Sequence, residues 1–171
     1  MAKPISAYVF PGLAEMQSPD LQLIAVCVCE AFNYQLPADT IVTPYIMKEH
    51  LRVYFKEEFT PTALRAEFNL DKNTPVTWAH YIESIGLNPE TLVRKNRLKL
   101  FALSRHMVTG IAREYGIPSL QITDYLQRHR TTYYNCVKMH EGEMRYRDYR
   151  RVYEDAKKRL YLARYGTPIH P

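Results

Sequence analysis

Five pairs of a capping residue and a proline lie between residues 18 and 89, and each pair predicts the start of a helix. They are Ser18-Pro19, Thr43-Pro44, Thr60-Pro61, Thr74-Pro75 and Asn88-Pro89. A hydroxyl or amide at the N-cap accepts a hydrogen bond from the first helical turn, and proline suits the first helical position. Because no segment alternates apolar and polar residues as a strand does, the sequence predicts an all-α fold.

The second half of the chain has the pattern of longer helices. Residues 99–115 predict one helix and residues 119–127 a shorter one, with Gly116 between them where a C-terminal cap is expected. A third helix is predicted to begin at Thr131. A long basic helix then covers residues 142–171, and its apolar stripe is rich in tyrosine.

Charge is distributed unevenly between the two halves. Residues 1–87 carry six Lys and Arg against ten Asp and Glu, a net charge of −4, whereas residues 88–171 carry seventeen against eight, a net charge of +9. A strongly basic half joined to an acidic one is typical of a protein that binds a polyanion. The charge distribution therefore favours nucleic acid or an anionic membrane as the partner.

Several classes of site have no support in the sequence. The three cysteines, Cys27, Cys29 and Cys136, form no C-x-x-C pair, and Cys27 and Cys29 lie in an apolar run that predicts burial. The six histidines stand singly, without the spacing of metal ligands. No phosphate-binding loop of the type G-x-x-x-x-G-K-[ST] occurs. We expect no cofactor, no metal and no enzymatic activity.

The sequence also lacks membrane signals. The first residues, MAKPISAYVFPG, contain no apolar run long enough for a signal peptide, and no later segment reaches transmembrane length. We expect a cytoplasmic protein with no membrane partner.

A tight polar turn separates the helix predicted at 119–127 from the one predicted to begin at Thr131. The two helices and this turn form a helix-turn-helix. In that motif the N-terminus of the second helix enters the major groove of DNA. The residues expected on or near its leading face are Arg128, His129, Arg130, Thr131, Thr132, Asn135 and Lys138.

An ordered series of short motifs between residues 84 and 141 resembles the C-terminal DNA-binding domain of the bacterial replication initiator DnaA. The motifs are GLNPETL at 86–92, the basic loop RKNR at 94–97, SRHM at 104–107, IAREY at 111–115 and RHRTT at 128–132. The family's signature turn typically reads Arg-Asp-His-Thr-Thr, so this chain differs in having His129-Arg130 at its centre. An arginine there could pair with guanine, which predicts a different target sequence.

The resemblance implies roles for two groups of residues. Contacts to the DNA backbone or minor groove fall to Arg94, Lys95, Arg97, Lys99 and Arg105, and His129, Arg130, Thr131 and Thr132 would face the bases. Residues 36–85 look like a degenerate second copy of the unit, in which acidic residues oppose DNA binding. The predicted organisation is an acidic helical domain at 1–85, a DnaA-like domain at 86–141 and a basic helix at 142–171.

The sequence thus predicts a sequence-specific double-stranded DNA-binding protein of replication or transcription control, without ATPase activity. Two alternatives stay open. The first is a protein-interaction module that uses the helical scaffold and the basic helix; a homodimer or protein partner could be bound through the N-terminal domain or through Tyr146, Tyr149, Tyr153 and Leu160. The second is a tyrosine-dependent strand-cleaving enzyme that uses Tyr133 or Tyr134.

Overall fold

The computed structural model describes residues 13–51, 59–95 and 98–166, with side chains from residue 20 to 50, 59 to 95 and 98 to 166. Within these ranges the fold is all-α, as predicted, and contains nine α-helices and no strand. The helices are α1 (Leu13–Asn33), α2 (Pro44–Ile46), α3 (Pro61–Glu67), α4 (Trp78–Ile85), α5 (Pro89–Leu92), α6 (Lys99–Glu114), α7 (Ser119–Leu126), α8 (Arg130–Glu143) and α9 (Arg147–Tyr165). A π-helical turn, Met47–Leu51, continues α2.

Three of the five predicted helix starts are confirmed and two are wrong. Thr43, Thr60 and Asn88 cap α2, α3 and α5, and each side chain accepts a backbone N–H. Thr74 instead donates to the Asp71 carboxylate in a turn, so α4 begins three residues beyond Pro75. Pro19 lies inside α1, where a proline removes one backbone hydrogen bond without ending this helix.

The main core is built by α1, α6, α7 and α9. Helix α1 packs along α9 and α6, and the rings of Phe32 and Tyr149 meet edge to face at 6.4 Å. Cys27 and Cys29 are buried in this core, as predicted, and burial raises the pKa of their thiols to about 11 and about 12. Because α1 shares one core with helices of the C-terminal half, the packing does not follow the boundary predicted at residue 85.

A smaller core lies under α3 and α4. It is centred on Trp78, whose side chain is 2% exposed and whose indole N–H donates to the Asn33 carbonyl at 2.7 Å. The connection between α3 and α4 spans residues 68–77, whereas residues 127–129 connect α7 to α8. Trp78, the first helical residue of α4, is buried, whereas Tyr133, its equivalent in the predicted repeat, is half-buried.

The C-terminal basic helix is shorter than the predicted span of 142–171, because α8 continues to Glu143 and α9 begins at Arg147. Tyr149 and Leu160 are buried inside the chain against the main core, together with Val152 and Ala156. They are therefore unavailable as the dimer surface that the tyrosine stripe suggested. None of the described helices is long and apolar enough to cross a membrane.

Helices α6 and α8 come into close contact at Gly110. A Cβ atom on Gly110 would lie 2.3 Å from the ring of His140, which is buried and hydrogen-bonded through Nδ1 to the Tyr149 hydroxyl at 2.8 Å. The ring is thus held by α9 and cannot swing away easily. Only glycine allows α8 to lie this close to α6.

The first prediction tests this contact. Gly110→Ala should lower the free energy of unfolding by about 1–3 kcal/mol, because the new methyl group overlaps a fixed ring in a packed core. Gly142→Ala is the matched control. Gly142 is a helical glycine too, in α8, and a Cβ atom there meets nothing within 4 Å. The control should raise stability by about 0.4–1 kcal/mol. Urea unfolding measures both, and equal effects of the two changes would contradict the close approach.

Candidate nucleic-acid interface

Helices α7 and α8 form a helix-turn-helix whose turn is fixed by backbone bonds. Gln127 takes the left-handed conformation with φ 54°, and the Arg128 amide donates back to the Thr123 carbonyl at 2.9 Å. His129 is the N-cap of α8, and its Nδ1 accepts from the Thr131 amide at 3.3 Å. The helix therefore begins at Arg130, one residue before the predicted start.

Most of the predicted base-reading residues share an exposed surface at the start of α8. His129, Arg130, Thr131, Asn135 and Lys138 are exposed and Thr132 is half-buried. The opposite face of α8 carries Cys136 and His140, which are buried against α6.

The exposed surface of α8 also contains Tyr134, whose ring is 72% exposed and stands edge to face with Tyr133 at 5.2 Å. The sequence placed Tyr134 on this helix but not among the base-reading residues. Its spacing from Thr131 and Lys138, one turn away on either side, was the signal that could have identified it.

Arg128 differs from the other predicted base-reading residues because its guanidinium points back into the protein. It donates to the carbonyl oxygens of Val93 at 2.9 Å and Leu126 at 3.0 Å through Nη1, and of Arg94 at 2.8 Å through Nη2. A further bond reaches the Gln127 carbonyl at 3.3 Å. Arg128 thus joins the turn to the segment that follows α5.

Two of the predicted backbone-contacting residues, Arg94 and Lys95, lie in that segment and are exposed, and Arg97 lies outside the described residues. Lys99 is exposed at the start of α6, but it lines a cavity with Glu143, the last residue of α8, and with Asp148 of α9. Arg105 is half-buried in α6, and its guanidinium donates to the Leu92 carbonyl at 3.2 Å. The turn, the segment at residues 93–95 and the start of α8 therefore form one continuous region, which we call the basic surface.

The electrostatic environment behind the basic surface is positive. Burial, and then the charge of Arg128, lower the pKa of Arg105 to about 10. Burial, followed by the charges of Arg105 and His140, lowers the pKa of His106 to about 4. The Nδ1 atom of His106 is buried without a hydrogen-bond partner among the described residues. Both shifts have the sign expected for cations that are partly desolvated close to other cations.

The exposed cations of the basic surface have no carboxylate partner. Among the described residues, no Asp or Glu oxygen lies within 4.0 Å of the charged groups of Arg94, Lys95, Arg130 or Lys138. On α9, three of the seven Lys and Arg side chains form ion pairs: Arg151 with Asp148, Lys157 with Glu114, and Arg159 with Glu30 and Asp155. The charge around the turn is therefore not neutralised by ion pairs within the described part of the chain.

No protein-family model, curated protein or solved structure matches this chain. Within the described part of the chain, no group of three or more His, Cys, Asp or Glu side chains is arranged to hold a metal ion.

The second prediction concerns the titration of His106. An unfolded histidine binds a proton near its ordinary pKa of 6.5, whereas folded His106 stays neutral down to about pH 4. Since the unfolded state binds more protons in this window, the contribution of His106 to stability rises as pH increases from about 4 to 6.5. Following its imidazole by NMR checks this directly, and a midpoint near 6.5 would contradict the burial of the ring, which is the main cause of the lowered pKa, and the positive charge beside it.

The third prediction concerns the unusual cap of α8. His129→Asp should raise the free energy of unfolding by about 0.5–1 kcal/mol, because a carboxylate is a better N-cap and also interacts favourably with the helix dipole. His129→Asn is the control that caps α8 without adding charge. Thermal and urea unfolding measure the effect; a loss of stability in both variants would show that His129 caps α8 better than either residue.

Proposed function

We propose that this protein binds double-stranded DNA with sequence preference, through the basic surface. The observation that carries the proposal is the cluster of exposed, carboxylate-free cations around the turn and the start of α8. Each exposed cation of this region, namely Arg94, Lys95, Arg130 and Lys138, would displace a counterion from DNA on binding, so affinity should fall steeply with salt.

The shape of the region supports double-stranded DNA over other polyanions. Helix α8 has an exposed N-terminal half, and a helix of this kind fits the major groove. Arg130, Asn135 and Tyr134 lie there with hydrogen-bonding and apolar groups facing solvent. Arginine suits guanine, asparagine suits adenine, and a ring can contact the thymine methyl group.

The motifs that resemble the DnaA domain support the same proposal, because they cover the turn and the segment that Arg128 joins to it. By this proposal Arg94 and Lys95 contact the DNA backbone or minor groove, and Arg130 contacts bases. The protein would act in replication or transcription control as a binding protein without catalysis. Incubation with supercoiled plasmid should leave the strands uncut.

The fourth prediction separates the two kinds of contact. Arg130→Ala should relax base preference, at a cost of about 1–3 kcal/mol for the best site, whereas Arg94→Ala should weaken all sequences alike and reduce the salt slope by about one. Lys158→Ala, on the exposed face of α9, removes the same charge outside the basic surface and is the control.

The measurement is sequence selection from random duplexes, followed by titrations at several salt concentrations. The parent protein should select a sequence and bind it less tightly as salt rises. Failure of the parent to bind any duplex at low salt would overturn the proposed function. Identical, sequence-independent effects of Arg130→Ala and Arg94→Ala would overturn the separate roles.

A further inference from the structure

Two buried or half-buried arginines hold the segment that follows α5 by its carbonyl groups. Arg105 donates to the carbonyl of Leu92, and Arg128 donates to those of Val93 and Arg94. The carbonyl oxygens of three successive residues therefore accept hydrogen bonds from two guanidinium groups. A segment held in this way presents the side chains of Arg94 and Lys95 to solvent.

Arg128 also holds the turn. Its bonds to Leu126 and Gln127 lie within the connection between α7 and α8, and its bonds to Val93 and Arg94 lie more than thirty residues away in sequence. The rigid planar fork of arginine allows one side chain to reach both sets of carbonyls. A lysine has the same charge but only a single ammonium group.

We infer that Arg128 is a positioning residue, which fixes the distance between the DNA contacts of residues 93–95 and those of α8. The inference rests on the proposed function and assigns Arg128 no base.

The first test needs no DNA. Trypsin cleaves after Arg94 and Lys95 only when this segment leaves the protein surface, so Arg128→Lys should accelerate cleavage there while the helical circular dichroism stays unchanged. Arg130→Lys is the matched control, because Arg130 is an exposed arginine two residues further along the chain, at the start of α8. Equal cleavage rates in Arg128→Lys and the parent would overturn the role of Arg128, whether or not the protein binds DNA.

The second test uses the selected duplex and dimethyl sulfate, which methylates guanine N7 in the major groove and adenine N3 in the minor groove. Arg128→Lys should retain protection of guanine N7 by α8 and lose protection on the side contacted by residues 93–95. Arg130→Ala should show the opposite pattern. If Arg128→Lys instead loses protection of a single guanine N7, Arg128 reads a base and the inference is wrong.

The salt dependence of binding gives the third measurement. Arg128→Lys should bind all duplexes more weakly than the parent and with a smaller salt slope, because the phosphate contacts of residues 93–95 are no longer held in place. A salt slope equal to that of the parent would contradict the positioning role of Arg128. Absence of any binding by the parent would instead remove the proposed function and leave the proteolysis result standing.

Discussion

The close approach of α6 and α8 at Gly110 is the constraint on which the basic surface depends. The ring of His140 occupies the space that any other residue at position 110 would fill, and its bond to the Tyr149 hydroxyl joins α8 to α9. Helix α8 is thereby held along one face by α6 and α9 together. Since packing defines its position from that side, the other face needs no contacts of its own and stays exposed.

A protein that concentrates cations in one region must offset their repulsion and desolvation. Arg105 and Arg128 lie close enough for the charge of Arg128 to lower the pKa of Arg105, yet both donate to backbone carbonyls. A hydrogen bond to a charged group contributes more than one between neutral groups, and it compensates part of the cost of burial. Carbonyl dipoles thus stabilise these two guanidinium groups, as carboxylates stabilise three of the cations on α9. Unlike carboxylates, the carbonyl groups leave the net positive charge unchanged.

Local sequence signals predicted the elements well where the signal and its partner are close in the chain. Thr43, Thr60 and Asn88 cap helices through bonds to residues three positions away, and the predicted turn at residues 128–130 lies within a residue or two of the observed connection. The prediction at Thr74 was wrong because the Asp71 carboxylate competes for that hydroxyl, a contact that helix-start rules do not consider.

Long-range contacts could not be predicted, because the two partners lie far apart in the sequence and no local rule connects them. Nothing in the local pattern shows that Tyr149 and Leu160 belong to the core shared with α1, so the tyrosine stripe suggested a dimer surface although these two residues are buried. The base-reading set was predicted from one helix alone, which could not show that Arg128 reaches carbonyls at Val93 and Arg94. The exposed positions on α8 followed from helical periodicity and needed no tertiary information.

The division of α8 into a packed face and an exposed face has a consequence for how such a protein can change over time. Arg130, Tyr134, Asn135 and Lys138 face solvent, while Cys136 and His140 hold the helix in place. Substitutions in the first group alter what the surface can contact at almost no cost to the core. The same scaffold could therefore acquire new ligand preferences by drift at a few exposed positions, with selection on stability acting elsewhere.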